Sequence, residues 1–342
     1  MQRRDFLRNS SLAMAGLITV PDIRFNNDLV LGQNKKRYKI DTNWSKADVS
    51  RYPVNDCHEM IQDKQGRIVL LTNETKNNVL IYAKDGKLLS NWGTEYPGAH
   101  GLTLFNENGP DTLFICDNNR HQVIKTSIDG KVLLTLNYPK ETGQYTKEDE
   151  YVPTETAIAD NGDIYVVDGY GKDFVIRYDA QGKYISHFGG KGDAPEQLKN
   201  AHGICIDRRV KNKPTLVVTS RQQNAFKRYT MEGKYIETIA MTGAWVCRPV
   251  IHGDYLYAAV LQSNANQGKQ SGWVTVLDKD FKVVSNLGGS EPQYKDGKIQ
   301  EMYQTVKAFS YPHDVCMDDE ENMYVAQWNS GKVYPYKLTP VV

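Results

Sequence analysis

Short apolar, β-branched and aromatic runs recur along this chain, each closed by a turn of nearly constant spelling. Asn78-Val79-Leu80-Ile81-Tyr82 leads into Lys84-Asp85-Gly86-Lys87-Leu88, and Phe174-Val175-Ile176-Arg177-Tyr178 leads into Ala180-Gln181-Gly182-Lys183-Tyr184. The turn returns as Ile128-Asp129-Gly130-Lys131-Val132 and Met231-Glu232-Gly233-Lys234-Tyr235, and in degraded form as Lys279-Asp280-Phe281-Lys282-Val283. Its centres fall at 86, 130, 182, 233 and 281, a spacing of 44 to 52 residues. Glycine at the centre accepts the positive φ of a tight hairpin, so each copy predicts two antiparallel strands. A second strand pair precedes each hairpin, most clearly Thr156-Ala157-Ile158-Ala159-Asp160 and Asp163-Ile164-Tyr165-Val166-Val167-Asp168 around Asn161-Gly162. Four short strands per repeat of this length are the signature of a propeller blade.

Six such units fit between Cys57 and the C-terminus. The last holds strands within 314–318, 322–326 and 332–338 and lacks an outer strand. Arg37-Tyr38-Lys39-Ile40-Asp41-Thr42-Asn43-Trp44 reads like other outer strands, such as Lys87-Leu88-Leu89-Ser90-Asn91-Trp92-Gly93. The expectation is an all-β, six-bladed propeller over residues 37–342, closed by this N-terminal strand so that no sheet edge is left bare.

Composition agrees with strands and turns: 21 Tyr, 27 Gly and 13 Pro, with little Ala- or Leu-rich sequence. Lys and Arg total 42 against 41 Asp and Glu, a net charge of +1, so no general field draws in nucleic acid. No apolar run is long enough for a transmembrane helix. At the N-terminus, Gln2-Arg3-Arg4-Asp5-Phe6-Leu7-Arg8 precedes the apolar stretch Leu12 to Val20. This is the pattern of a twin-arginine export signal, so residues 1–30 are read as signal and linker and the protein as exported, periplasmic or extracellular. Five cysteines with no Cys-x-x-Cys spacing argue against a disulfide framework.

In a propeller the first strand of each blade lines the central axis. Aligned there, blade 1 reads Cys57-His58-Glu59-Met60, blade 2 Ala99-His100-Gly101-Leu102, blade 4 Ala201-His202-Gly203-Ile204 and blade 6 Pro312-His313-Asp314-Val315. Blade 3 offers Glu155, or Thr154 with a shift of one residue; blade 5 offers Cys247 or Arg248. Four of the seven histidines fall on this ring. His100, His202 and His313 belong to alternate blades and are expected to converge as neutral imidazoles on one metal ion, with positions left open for water or substrate. Imidazole suits zinc, and also Fe, Cu, Ni or Mn. A structural calcium is left open as well. His58 is a fourth ligand, an acid/base or a spectator. Turns after the second strands add Arg120, Tyr170, Arg221 and Trp328 as large rim groups able to grip a polar or anionic ligand. With Glu155, Arg248 and His58 they form the candidate substrate-binding set.

The stretch Pro153 to Tyr184 resembles an NHL repeat, and the chain over most of residues 50–340 resembles the peptidyl-α-hydroxyglycine amidating lyases. The carrying elements are His100-Gly101-Leu102 with His121-Gln122-Val123, Val167-Asp168-Gly169-Tyr170, His202 with Arg221, and Pro312-His313-Asp314-Val315. The resemblance implies His100, His202 and His313 as zinc ligands, Tyr170 as base and Arg221 as substrate anchor. It also implies a lyase breaking a C–N or C–O bond beside a hydroxyl on a small peptide or sugar-derived substrate. One departure is clear: that family has an arginine after the second strand of blade 1, and residues 72–78 contain none. A non-catalytic NHL propeller binding a peptide or glycan, and a hydrolase or lactonase of the same fold, are the alternatives. Lactonases of this fold favour carboxylate ligands for calcium, against three histidines here. A metal and Arg221 beside Tyr170 are expected to lower its pKa from about 10. Loop 286–312, with Tyr294, Tyr303, Phe309 and Tyr311, is long enough to cover the site.

Overall fold

The computed structural model describes residues 29–106 and 109–341, and the expected export signal lies outside them. Six antiparallel sheets follow one another around an axis. Blade 1 is built from Cys57–Gln62, Ile68–Thr72, Val79–Tyr82 and Leu88–Trp92, in that order from axis to rim. Blades 2, 3 and 4 repeat the order, starting at Ala99–Phe105, Glu155–Ile158 and Ala201–Asp207. Blade 5 starts at Ala244–Val246 and carries an extra short strand, Val250–His252. No helix among the described residues is long and apolar enough to cross a membrane.

Blade 6 starts at Pro312–Met317 and takes its outer strand from the other end of the chain. Lys36–Asp41 pairs antiparallel with Tyr336–Pro340, with Ile40 opposite Leu338. The strand spans 36–41, and Trp44 beyond it turns inward, 3% exposed, onto Tyr82 and Tyr324. A fifth strand, Val30–Gln33, folds back on it and reaches blade 5, where the backbone N–H of Gln33 donates to Ser285 Oγ. The sequence reading did not anticipate this strand.

The blades hold one another through six apolar clusters, each filled from two neighbouring sheets. Ile61, Val69, Leu102 and Ile115 join blades 1 and 2, for example, and Tyr257, Val276, Val325 and Leu338 join blades 5 and 6. The hairpin turns belong to the same packing. Gly130 has φ +92°, and a Cβ there would lie 2.6 Å from the ring of Trp92 on the preceding blade, so the turn needs glycine for both reasons. The degraded fifth copy places Phe281 at φ +57°, with the guanidinium groups of Arg209 and Arg228 4.7 and 4.9 Å from its ring centre. All five cysteines are free, as the sequence implied.

Candidate metal centre on the propeller axis

Each of the four axial histidines sits in a β-bulge. Register slips by one residue between Cys57 and Glu59, between Ala99 and Leu102, between Ala201 and Ile204, and between Pro312 and Asp314. A bulge re-aims one side chain out of the alternating pattern, and here it turns an imidazole inward. Blade 3 pairs without a slip, Glu155 opposite Val167.

The four imidazoles meet on the axis. The rings of His58, His100 and His313 stand 4.8 to 4.9 Å apart, and His202 stands 4.7 Å from His100 and 4.8 Å from His313. Nitrogen atoms of His58, His100 and His313 all lie within 4.8 Å of one another, the spacing at which they could hold a metal ion. The expected alternate-blade residues His100, His202 and His313 all stand in this layer. His58 joins His100 and His313, while Nε2 of His202 lies 3.0 Å from the Tyr170 hydroxyl.

The hydrogen bonds around the rings suit metal ligands. Nδ1 of His100 pairs with the Thr154 carbonyl at 2.8 Å, and Nδ1 of His313 with the His58 carbonyl at 3.0 Å. A ring that donates from Nδ1 keeps a lone pair on Nε2, the usual outer support of a ligating histidine. Nδ1 of His58 and of His202 is buried without any partner. Burial lowers the pKa of all four: His58 to about 3, with Arg221 adding to it, and the other three well below 6.5, with neighbouring imidazoles and Arg221 adding to it. They are neutral near pH 7, the form that binds metals.

Tyr170 closes the top of this cluster. Its hydroxyl is 3.1 Å from Nε2 of His100 as well as 3.0 Å from that of His202, although the residue is 43% exposed. The turn that carries it is tied by Asp168, whose carboxylate accepts from the backbone N–H groups of Val152 and Lys172 and from the Tyr145 hydroxyl, at 2.6 to 2.7 Å. Burial raises the Tyr170 pKa and the Arg221 guanidinium opposes it, with the net direction upward. Desolvation of the phenolate thus outweighs the one guanidinium, and the lowering expected from a metal together with Arg221 needs the metal. Arg221 itself is buried, with Nη2 3.2 Å from the Cys247 sulfur.

Other candidates divide into two groups. Trp328 lines a cavity of about 300 Å³ with His58, His100, Tyr170, Asn73, Asn118 and Asn119. Arg120 turns away from it, onto the Tyr96 ring and the Glu95 carbonyl. Glu155 and Arg248 lie one step down the axis with Glu59 and Asp314, all buried. Thr154, not Glu155, meets the histidine layer, through the bond from His100. Asp314 and Arg248 are 2.7 Å apart, so this carboxylate-lined space on the axis is filled by a guanidinium. Burial pushes Glu59 well above the usual carboxylate range, and Oε1 of Glu59 and Oε2 of Glu155 have no partner unless one carboxyl carries a proton. Of the aromatic residues in loop 286–312, Phe309 and Tyr311 sink into the core between blades 5 and 6 and Tyr294 accepts a bond from the Val283 N–H; none lines the cavity. His121, His187 and His252 bond to the Tyr151 carbonyl, the Tyr184 hydroxyl and Glu321, away from the axis.

The asparagine lining comes from the turns after second strands, Asn73-Glu74 and Asn118-Asn119-Arg120, which the topology places on this rim. Asn118 Oδ1 is buried without a partner.

Fold and site together define a six-bladed propeller with a histidine-lined axis. The chain belongs to the six-bladed β-propeller family DUF5128, whose model matches residues 145–336. It is 35% identical over 108 residues, 30% of its length, to peptidyl-alpha-hydroxyglycine alpha-amidating lyase 1 of Drosophila melanogaster. It is 30% identical over 143 residues, 40% of its length, to the probable amidating lyase of the same kind from Caenorhabditis elegans. These stretches cover 19% of the fly protein and 38% of the worm protein, so the chain spans well under half of either relative. Among solved structures, a streptogramin B lyase is similar at TM-score 0.57 and 14% identity, over 84% of this chain and 94% of that one. A gluconolactonase from Xanthomonas campestris is similar at TM-score 0.56 and 12% identity, over 84% and 87%. At such identities the structural likeness shows the fold.

Proposed function

We propose that this protein is an exported metal-dependent lyase of the amidating-lyase type, with zinc or another divalent transition metal on the axial histidines. The observation that carries the reading is the Tyr170 hydroxyl set against His100 and His202, directly beside the three-histidine group. His100 and His313 supply Nε2 donors backed by carbonyls, and His58 or His202 completes the set. A metal ion held there would supply Lewis acidity, making a substrate hydroxyl easier to deprotonate. Tyr170 takes that hydroxyl proton. The carbon–oxygen bond becomes a carbonyl as the adjacent C–N or C–O bond breaks, its electron pair leaving with the nitrogen or oxygen. No net oxidation occurs. The positive charge of Arg221 favours the Tyr170 phenolate against the cost of burial.

The cavity lining narrows the substrate. Asn73, Asn118, Asn119 and Trp328 offer amides and an aromatic face, and no lining residue is charged at neutral pH. This suits an uncharged hydroxylated group, whether on a peptide backbone or a sugar. The test is metal analysis of the purified protein together with assay of a peptide ending in α-hydroxyglycine and of hydroxylated sugar derivatives. A metal-free protein whose behaviour is unchanged in His100→Ala and His313→Ala would sink the reading.

A further inference from the structure

Beneath the histidines the axis holds a second layer with its own logic. The residue after each axial position contributes Glu59, Gly101, Glu155, Gly203, Arg248 and Asp314. Arg248 spans the middle. Its Nε and Nη2 form a fork on Asp314 at 2.9 and 2.7 Å. Nη1 donates to the Leu102 carbonyl at 2.9 Å and Nη2 to the Met60 carbonyl at 3.0 Å. Glu59 and Glu155 stand 3.4 and 3.7 Å away. One side chain thus reaches blades 1, 2, 3 and 6 from blade 5.

The two glycines make room for it. A Cβ on Gly203 would lie 2.5 Å from the Arg248 Cα, and one on Gly101 would lie 3.1 Å from Glu155 Oε1. The carboxylates add further ties: Asp314 accepts from the Met60 N–H at 2.9 Å, and Glu59 from the Leu102 N–H at 2.6 Å. Every oxygen Arg248 bonds belongs to a residue one or two positions from an axial histidine: Met60 from His58, Leu102 from His100, Asp314 from His313.

We propose that Arg248 is a resident cation built into the fold, filling an oxygen-lined axial site and acting as a positioning residue for the histidines above it. A planar fork with five donors suits this better than a point charge, since four of its contacts are separate, directed hydrogen bonds. The carboxylates of Glu59, Glu155 and Asp314 face the guanidinium at 3.4, 3.7 and 2.7 Å, so its charge is the counterpart of this acidic layer.

The metal-affinity part of this rests on the proposed function; the cation site does not. The experiment is therefore run in two arms on Arg248→Ala, Arg248→Lys and the wild-type chain. In the first, with metal removed by EDTA, thermal midpoints are read with millimolar methylguanidinium, methylammonium or urea added. Methylguanidinium should raise the Arg248→Ala midpoint by several degrees and leave the wild type unmoved, while uncharged urea should raise neither. No rescue, or equal rescue by methylammonium, overturns the fitted cation site. In the second arm, zinc affinity is read by chelator competition. Arg248→Lys, which keeps charge and bulk, should bind zinc roughly 10–100-fold more weakly, as losses of outer support do. An unchanged affinity overturns the positioning role. A wild type that binds no zinc defeats the functional reading, and the first arm still decides the cation site. Should Arg248→Ala fail to fold, rescue is sought during refolding, where recovery with methylguanidinium alone supports the site and recovery with none of the three overturns it.

Discussion

The Tyr170 hydroxyl lies 3.0 Å from Nε2 of His202 and shares that hydroxyl with His100 at 3.1 Å. Only one of these imidazoles can accept the phenolic proton; the other must donate or bind something else. Tyr170→Phe removes the shared atom and leaves the ring. We expect turnover to fall by roughly 10²–10⁴-fold, the range for loss of a proton-transfer group. Metal content and the thermal midpoint should stay near wild type, because the residue is 43% exposed and no core cluster includes it. Turnover that survives in Tyr170→Phe would remove the base from the proposed mechanism.

His100 and His313 are the two donors whose Nδ1 atoms already pair with carbonyls. Alanine at either position should therefore cost more metal than alanine at His187, which bonds a tyrosine hydroxyl away from the axis. Metal analysis should give about one equivalent for the wild type and His187→Ala, and a small fraction of it for His100→Ala and His313→Ala. Binding to the folded state alone adds about 4 kcal/mol at a thousand times Kd. Chelation should accordingly lower the wild-type midpoint and barely move that of His313→Ala. Equal metal in all four proteins would contradict the assignment.

What the sequence made legible and what it did not follow from the same geometry. The turn glycines and the unpaired end of blade 6 are local or counting signals, so six blades and closure by residues near Ile40 could be read directly. The four histidines could be placed on the axis because they recur at one position of the repeat. Their depth could not. The bulge at each of them depends on packing around the axis and has no residue signature. In blade 3, where the bulge is missing, Glu155 drops one layer and Thr154 takes its place. Likewise the rim turns locate a Cα but not a side-chain direction: Tyr170 points inward, while Arg120 stacks on Tyr96. Arg248 was visible as a candidate, yet its partners come from four other blades and no spacing connects them.

Ring closure gives a test remote from the site. Ile40 is 2% exposed and sits opposite Leu338 across the only sheet that joins the two ends of the described chain. Ile40→Ala should cost about 2–5 kcal/mol, the range for deleting most of a buried aliphatic side chain. The loss should also appear as earlier proteolysis near both ends, because releasing one strand bares the edge of the other. Urea midpoints and a time course of limited proteolysis would check both. A midpoint within error of wild type would mean that the N-terminal strand contributes little to holding the ring.

The neutral histidines set a sign for stability against pH. His58 is depressed to about 3 by burial and then by Arg221, and His100, His202 and His313 are depressed well below 6.5, by burial first. Below pH 6.5 the unfolded chain protonates these four while the folded chain does not. The unfolded state then binds more protons, so stability rises with pH and is lost on acidification from about 6.5 toward 3. Asp168 acts the other way. Burial raises it to about 6, so its contribution is complete below the ordinary carboxylate value near 4 and is lost as pH rises through 6. Burial also raises Glu59, Asp117, Asp173 and Asp314, which act with Asp168, so the histidine share is read as a difference between wild type and a variant lacking one imidazole. Metal-free wild type should lose urea midpoint relative to His58→Gln as pH falls from 7 to 4.5. His58→Gln, which cannot titrate, should flatten the slope by up to one proton. Equal slopes in wild type and His58→Gln would mean that the His58 imidazole protonates in the folded state, and the axis would then be a solvated channel rather than a poised metal site.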